Sequence, residues 1–482
     1  MHREGFRRRL GNYPAARTGR ELRVAANILL IHSDQHRYDC VGANGHPLVR
    51  TPNLDRLARE GMRFTHAFCP IPICAPSRAS LLAGTWPCRH GSIVNAGTEA
   101  GAPLRDDIRA FTQILSEQGY YLACIGVWGI NSRRTPREFG FDRVVPDSEY
   151  RAWRRAQGIP DPPRTNGWFG EVDPFIGPEQ SRLAWGADRV IELLRERARE
   201  AAPFYIRWDP AEPHLPNVVP EPYASMYDPG EIEPWPSFAE TFAGKPYIQR
   251  QQLVSWGIED WSWDQWRPIV ARYLGEITLL DAQVGRVLGA LDELGLAGNT
   301  LVVYTCDHGD LCGGHRMIDK HYVMYDDVVR VPLFARWPSV IEPGSLSDDF
   351  VCTSLDLART FVEVAGAPVP AEFQGESLLP VFRGEGNGRQ SILAVYYGNQ
   401  FGLYSQRMVR TRAWKYVWNP TAEDELYHLE ADPAELRNRA ADPACASKLR
   451  SMRRLLVDWL EATGDPVLNT WTKRQLLEGR KI

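Results

Sequence analysis

The run Ala25-Ala26-Asn27-Ile28-Leu29-Leu30-Ile31-His32-Ser33-Asp34-Gln35 is mostly aliphatic and then ends in an acid and an amide. It is too short to cross a membrane and suits a strand buried on both faces, as in a parallel sheet covered by helices. Its polar end falls at the carboxyl edge of the strand, where ligands collect in open α/β sheets. A second run, Leu301-Val302-Val303-Tyr304-Thr305, delivers Asp307, His308 and Asp310 in the same way. Two such strand ends predict an oxygen-rich metal site with one imidazole. Each pair taken alone is also an ordinary polar strand cap, because Asp is common in such turns.

Outward from these runs, short apolar segments alternate with amphipathic ones as far as about residue 340, the pattern of a mostly parallel sheet between helices. The pattern predicts strands near 26–33, 121–126, 203–208, 300–305 and 331–335. Helices are predicted near 52–60, 76–84, 110–118, 180–199 and 354–366, with a long one over 266–294 whose Ile269, Tyr273, Leu274, Ile277, Leu280, Val284, Leu288 and Leu291 recur at helical spacing. Segments 129–178 and 209–262 are rich in Pro, Gly, Trp and charge and read as long loops. The second carries Trp235, Trp256, Trp261 and Trp263, which suit either a platform for a sugar or aryl group or plain anchors for the loop. Beyond about 385 come strand-like pieces at 392–397, 403–410, 414–418 and 425–429, then an amphipathic helix at 446–462. The chain therefore divides into a basic arm (1–24), an α/β catalytic domain (25–385) and a smaller α+β subdomain (386–482) with an antiparallel sheet and a helix.

Bulk properties narrow the function. With 482 residues, 44% of them apolar, the chain can bury a large core. A net charge of −4 leaves no basic footprint for nucleic acid, so an anionic substrate must be met by local cations. The polar, basic amino terminus lacks the apolar stretch of a secretory signal, and the nine scattered cysteines show no CxxC spacing, which together predict reduced thiols in a cytoplasmic protein with no membrane partner.

Between the two strand ends lies Cys74-Ala75-Pro76-Ser77-Arg78, followed by Ala79-Ser80-Leu81-Leu82-Ala83-Gly84-Thr85. Pro-Ser is an ordinary helix-start pair, and the plain interpretation is a helix N-terminus with a buried thiol. The functional interpretation adds the unpaired N–H donors of the first turn and Arg78, whose planar fork suits sulfate or phosphate oxygens.

The CxPxR pentapeptide resembles the core signature of formylglycine-dependent type I sulfatases, and the match spreads along nearly the whole chain. It includes Thr51-Pro52-Asn53-Leu54-Asp55-Arg56-Leu57-Ala58, Pro213-His214-Leu215-Pro216, Asp307-His308-Gly309-Asp310 with Lys320, Arg330-Val331-Pro332-Leu333, and Glu425-Leu426-Tyr427-His428-Leu429 before Asp432-Pro433. The chain is thereby identified with the sulfatases and related phosphonate monoester hydrolases of the alkaline phosphatase superfamily. That resemblance implies an α/β/α sandwich in which Cys74 is oxidised to formylglycine by a maturation enzyme. It implies that Asp34, Gln35, Asp307, His308 and the modified Cys74 bind one divalent cation, calcium or manganese in the first place, with magnesium, iron or zinc also compatible with the ligands. It implies that Arg78 and Lys320 hold the substrate's oxygens while His214 protonates the leaving alcohol.

One departure stands out. Where the sulfatases read Gly-Lys-Trp-His, this chain has Gly126-Val127-Trp128-Gly129, and Val127 and Gly129 also lack the hydroxyls that the phosphonate hydrolases place there. Three readings stay open: another histidine substitutes, with His90 the nearest; the substrate is a phosphonate monoester or phosphodiester; or the protein is a weakened binding homologue. Asn95 belongs to a region that points toward the site in the resembling hydrolases. The leading expectation is hydrolysis of sulfate monoesters, with a small-molecule or saccharide ester as substrate, and the segment from Trp471 to Ile482 is long enough to reach a second copy in a homo-oligomer.

Overall fold

The computed structural model describes residues 25–95, 102–398, 404–479 and 481; the basic arm over 1–24 lies outside them. An eight-stranded sheet organises the larger part. Its strands are β1 (Asn27–Ser33), β2 (Met62–Phe64), β3 (Tyr121–Gly126), β4 (Arg143–Pro146), β5 (Phe204–Asp209), β6 (Thr300–Cys306), β7 (Leu333–Arg336) and β8 (Ser345–Ser347). They lie in the order β8-β2-β7-β6-β1-β5-β3-β4. The five from β6 to β4 are parallel, and β7 alone runs against its neighbours. The aliphatic run that opens the chain is thus the central strand, with all seven of its residues buried.

Helices cover both faces, which is why β1 is apolar on both sides. On one face Ile28 and Leu30 pack against α2 (Cys74–Ala83), α3 (Phe111–Glu117) and α6 (Thr353–Val364); on the other Leu29 and Ile31 meet α1 (Pro52–Glu60), α4 (Arg182–Arg197) and the second half of α5 (Trp263–Glu293). The 31-residue α5 spans about 46 Å at the standard helical rise. Its first half packs in one core through Trp266, Ile269, Tyr273 and Leu274, its second half in the other through Leu280, Val284, Leu288 and Leu291. The α/β class and the mostly parallel sheet agree with the sequence pattern.

The carboxy-terminal part is a second sheet of β9 (Ile392–Gly398), β10 (Tyr404–Arg410), β11 (Trp414–Trp418) and β12 (Glu425–His428), antiparallel throughout. Helix α7 (Ala446–Thr463) covers it with Leu449, Met452, Leu456 and Leu460, and α8 (Thr470–Glu478) follows. The core under this sheet is continuous with the α2 face of the large one, and Val395 N–H donates to Pro70 O at 2.9 Å.

The segments predicted as loops contain regular structure. Segment 129–178 holds β4 and a helix at Asp147–Ala156, and 209–262 holds a helix at Tyr247–Trp256. Their short apolar content hides them: in Arg143–Pro146 only Val145 is buried, as befits an edge strand. The indole N–H groups of Trp235 and Trp263 donate to Cys312 O and Ile232 O, both at 2.8 Å, so these two rings anchor the segment to the body. All nine cysteines are free thiols. Among the described residues no helix is long and apolar enough to cross a membrane.

Candidate active site

Helix α2 opens at Cys74 itself, two residues earlier than the Pro-Ser pair predicts, and closes at Gly84 with φ +62°. Only glycine fits there, because a β-carbon would lie 2.6 Å from the Phe373 ring. The helix carries Cys74 to the carboxyl ends of β1 and β6. There the ligand atoms of Asp34, Cys74, Asp307 and His308 lie within 4.8 Å of one another. Cys74 Sγ is 3.2 Å from His308 Nε2 and 3.7 Å from Asp34 Oδ1.

The first turn of α2 is poorer in free donors than the sequence suggests. Ala75 N–H donates to Asn95 Oδ1 at 3.0 Å, Ser77 N–H returns to Ile73 O at 3.0 Å, and Pro76 has none. Asn95 therefore sits beside the site as a cap on the turn that holds Cys74.

Arg78 also differs from its expected role. It is fully buried, and its guanidinium donates from Nε to Asp307 Oδ2 (2.9 Å), from Nη2 to Asp34 Oδ2 (3.1 Å) and from Nη1 to Asp209 Oδ1 (2.6 Å) and Val127 O (3.3 Å). A fork committed to three carboxylates and a carbonyl braces those carboxylates rather than a substrate's oxygens. It grips the outer oxygens of Asp34 and Asp307, leaving both Oδ1 atoms turned toward His308 Nε2 at 3.8 and 3.7 Å.

Lys320 stands on the other side. Its ammonium donates to Gln35 Oε1 and His214 Nε2, both at 2.7 Å, and pairs with Asp319 at 3.1 Å. His214 Nδ1 lies 2.5 Å from Leu215 O, so its Nε2 is the acceptor and the ring is neutral. Burial and the Lys320 charge push His214 down to about 4. The proton assigned to His214 for the leaving alcohol is therefore on Lys320 Nζ in this arrangement. Gln35 donates in turn to Asp310 Oδ2 (2.5 Å) and Asp319 Oδ1 (3.0 Å), and its own φ is +64°. Positive φ values also occur at Asp319, His321 and Tyr322, backbone conformations that non-glycine residues hold only where the surroundings impose them.

His90 is excluded as a stand-in for the missing histidine. Its Nδ1 accepts from Ser92 N–H at 3.2 Å and its Nε2 bonds Ser80 Oγ at 2.9 Å, while burial lowers it to about 3. It ties the short helix Pro87–His90 to α2 as a neutral ring. Val127 and Gly129 bring no side-chain donor either; the loop contributes the Val127 carbonyl to Arg78. Asp209, Arg207 and His32 escaped the sequence analysis, although two charges spaced i, i+2 inside a central strand were the signal for them.

The donor set fits a divalent cation. His308 Nδ1 donates to Gly309 O at 2.9 Å, which fixes the tautomer and turns the Nε2 lone pair toward the acids, as in metal-ligating histidines. Burial and the neighbouring Asp307 push Asp34 up; burial also opposes ionisation of Asp307, but His308 and Arg78 hold it well below the usual carboxylate range. Two converging carboxylates that repel in this way are relieved by a dication. Burial, then Asp34, raises the Cys74 thiol far above its ordinary value, so an unmodified cysteine here is no thiolate.

A mostly parallel sheet with acids at two strand ends, a buried arginine bracing them and a cysteine at a helix start beside them places the chain among the hydrolases of the alkaline phosphatase superfamily. The sulfatase profile matches residues 26–367, and a profile for the C-terminal region of N-sulphoglucosamine sulphohydrolase matches 313–461. The chain belongs to the sulfatase family, hydrolases of sulfuric esters. It is 27% identical to an N-acetylglucosamine-6-O-sulfatase of Bacteroides thetaiotaomicron, over 89% of this chain and 85% of that one. It is 29% identical to a multifunctional alkaline phosphatase superfamily protein of Trinickia caryophylli, over 92% and 96%. Among solved structures it resembles the phosphonate monoester hydrolase of Agrobacterium radiobacter, with a TM-score of 0.79 at 26% identity over 91% and 96% of the two chains.

Proposed function

We propose that this chain cleaves sulfate monoesters with residue 74 oxidised from cysteine to formylglycine and one divalent cation held by Asp34, Gln35, Asp307 and His308. The observation that carries the reading is the convergence of Asp34, Cys74, Asp307 and His308 within 4.8 Å at the start of α2. When in place, the aldehyde hydrate supplies a hydroxyl nucleophile with a second hydroxyl through which it is regenerated, and the cation supplies a Lewis acid beside it. The protein's own groups do the rest. Arg78 holds the two carboxylates in rotation, and Asn95 holds the first turn of α2. Lys320 offers a positive charge to the sulfuryl oxygens, and the proton it shares with His214 Nε2 is the one available to the departing alcohol. Calcium or manganese suits a site of oxygens with one imidazole.

A phosphonate monoester or phosphodiester is the second reading, favoured by the absence of the sulfatases' lysine and histidine at Val127 and Gly129, although the hydroxyls of the phosphonate hydrolases are missing there too. The named relatives support a saccharide sulfate as substrate. The free cysteines support a reducing, cytoplasmic setting with a formylglycine-generating partner, and the exposed Trp471 supports a homo-oligomer. The division near residue 385 belongs to the same proposal, supported by the separate sheet that begins at Ile392.

The test is mass spectrometry of the peptide containing residue 74 from native material, coupled to turnover of sulfate, phosphonate and phosphodiester esters by the same preparation. Formylglycine with sulfate hydrolysis fastest is the expected result. Active protein carrying only unmodified Cys74 overturns the nucleophile, and negligible sulfate turnover beside fast phosphonate or phosphodiester cleavage overturns the substrate.

A further inference from the structure

Strand β5 crosses the core as Phe204-Tyr205-Ile206-Arg207-Trp208-Asp209, with all six residues buried. Tyr205, Arg207 and Asp209 share the face that looks toward α2, where the neighbouring strands contribute Leu30, Leu122 and Cys124 to an apolar core. Two charges on that face are costly unless they are paired. Asp209 gathers the partners: its Oδ1 accepts from Arg78 Nη1 at 2.6 Å, from Arg207 Nη2 at 2.7 Å and from His32 Nδ1 at 3.1 Å.

Three carboxylates thus surround the Arg78 guanidinium, and they are not equivalent. Asp34 and Asp307 present their outer oxygens to it and keep their Oδ1 atoms for the cluster around His308. Asp209 has no atom in that cluster. Held by Asp34 and Asp307 alone, the guanidinium would follow whatever rotation those two adopted. A third anion on its far edge makes Arg78 the fixed member, so that it sets their rotation instead.

The backbone is shaped to the same end. Val127 N–H donates to Asp209 O at 2.9 Å while Val127 O accepts from Arg78. Gly129 then takes φ +59°, and a β-carbon on it would lie 2.7 Å from Arg78 Cδ and 3.1 Å from Nε. The loop that lacks polar side chains is the loop that makes room for the arginine stem.

We infer that Asp209 is a positioning residue for the reaction: it fixes Arg78, and through Arg78 the rotation of the Asp34 and Asp307 carboxylates. The inference rests on the reading of those carboxylates as cation ligands, and its test separates the two. Manganese alone is titrated calorimetrically into the purified full chain and into D209N, G129A and D465N. Asp465 is an equally buried carboxylate, paired with Arg407 at 2.6 Å in the carboxy-terminal part, and serves as the control for losing a buried ion pair. D209N is expected to raise the manganese Kd by about 10–100-fold, G129A to raise it in the same direction, and D465N to change it by less than about threefold. On the matured enzyme, D209N lowers kcat with little change in KM.

A folded D209N that binds manganese like the parent overturns the inference alone. So does a D465N that loses as much affinity as D209N, since the effect would then be general stability. Should D209N not fold, an unchanged Kd in G129A overturns it. A parent protein that binds no manganese, calcium or magnesium overturns the cation-site reading together with the role derived from it.

Discussion

Of the polar networks buried among the described residues, the one beneath the strand ends and the one where the larger body meets the carboxy-terminal sheet treat charge in opposite ways. In the second, Asp326 accepts from Lys415 Nζ at 2.6 Å and from Arg410 at 3.0 and 3.2 Å, and Lys415 also pairs with Glu435 at 2.7 Å. Burial opposes ionisation of Asp326, but Arg410 and Lys415 hold it far below the ordinary carboxylate range. The two anions there, Asp326 and Glu435, are matched by two cations, Arg410 and Lys415. Beneath the strand ends, Asp34 and Asp307 share Arg78 with Asp209 and turn their remaining oxygens toward each other's neighbourhood. Like charges kept together at such cost mark a place arranged to bind rather than to close the fold.

The contrast breaks most visibly if Asp34→Asn, at the acid that burial and Asp307 push up, leaves activity intact. That change is expected to lower kcat/KM by about 10³-fold or more, the several kcal/mol that a correctly held dication contributes. Metal-free stability, read by urea unfolding, should fall little or rise, because one of two repelling anions is gone. Asp326→Ala should do the reverse. It strands Lys415 and Arg410, so unfolding is expected to become easier by about 3–5 kcal/mol while kcat and KM of the folded protein stay as they were.

A third substitution sharpens the comparison through pH. Glu276 is buried on α5, where burial and Glu212 raise it to about 8 although Asn217 donates to it at 2.7 Å. A carboxyl whose folded pKa exceeds its unfolded value costs stability as pH climbs from about 4.5 through about 8. Glu276→Gln should therefore stabilise the protein by about 1–3 kcal/mol at pH 9 and by nothing measurable at pH 4, as thermal unfolding at the two pH values would show. The smallest effect belongs to Trp168, 54% exposed in the turn Gly167–Phe169: its change to Ala should move stability by no more than about 0.5 kcal/mol in the same melts.

Much of this was legible in the chain. Aliphatic runs ending in Asp34-Gln35 and Asp307-His308 announce central strands and what stands at their ends, because a parallel strand buried on two faces leaves no alternative to continuous hydrophobicity. The short edge strands did not show, since β4 and β8 bury too little to leave a pattern. Contacts of long side chains were illegible for a different reason. Nothing in Cys74-Ala75-Pro76-Ser77-Arg78 says that the arginine turns back toward Asp34, Asp307 and Asp209, because a guanidinium on a flexible stem goes where distant residues place its partners. The place of His90 was illegible for the same reason: its partners Ser80 and Ser92 occupy both ring nitrogens, and sequence proximity to Cys74 carries no information about that.

Gly129 also limits what can be engineered at its own position. Any β-carbon there meets the stem of an arginine that three acids hold in place, so a histidine enters only if Arg78 leaves its present pose. The side chain that the loop lacks and the anchor beneath it are therefore one design problem: a second substitution has to give the arginine somewhere to go before an imidazole can stand there.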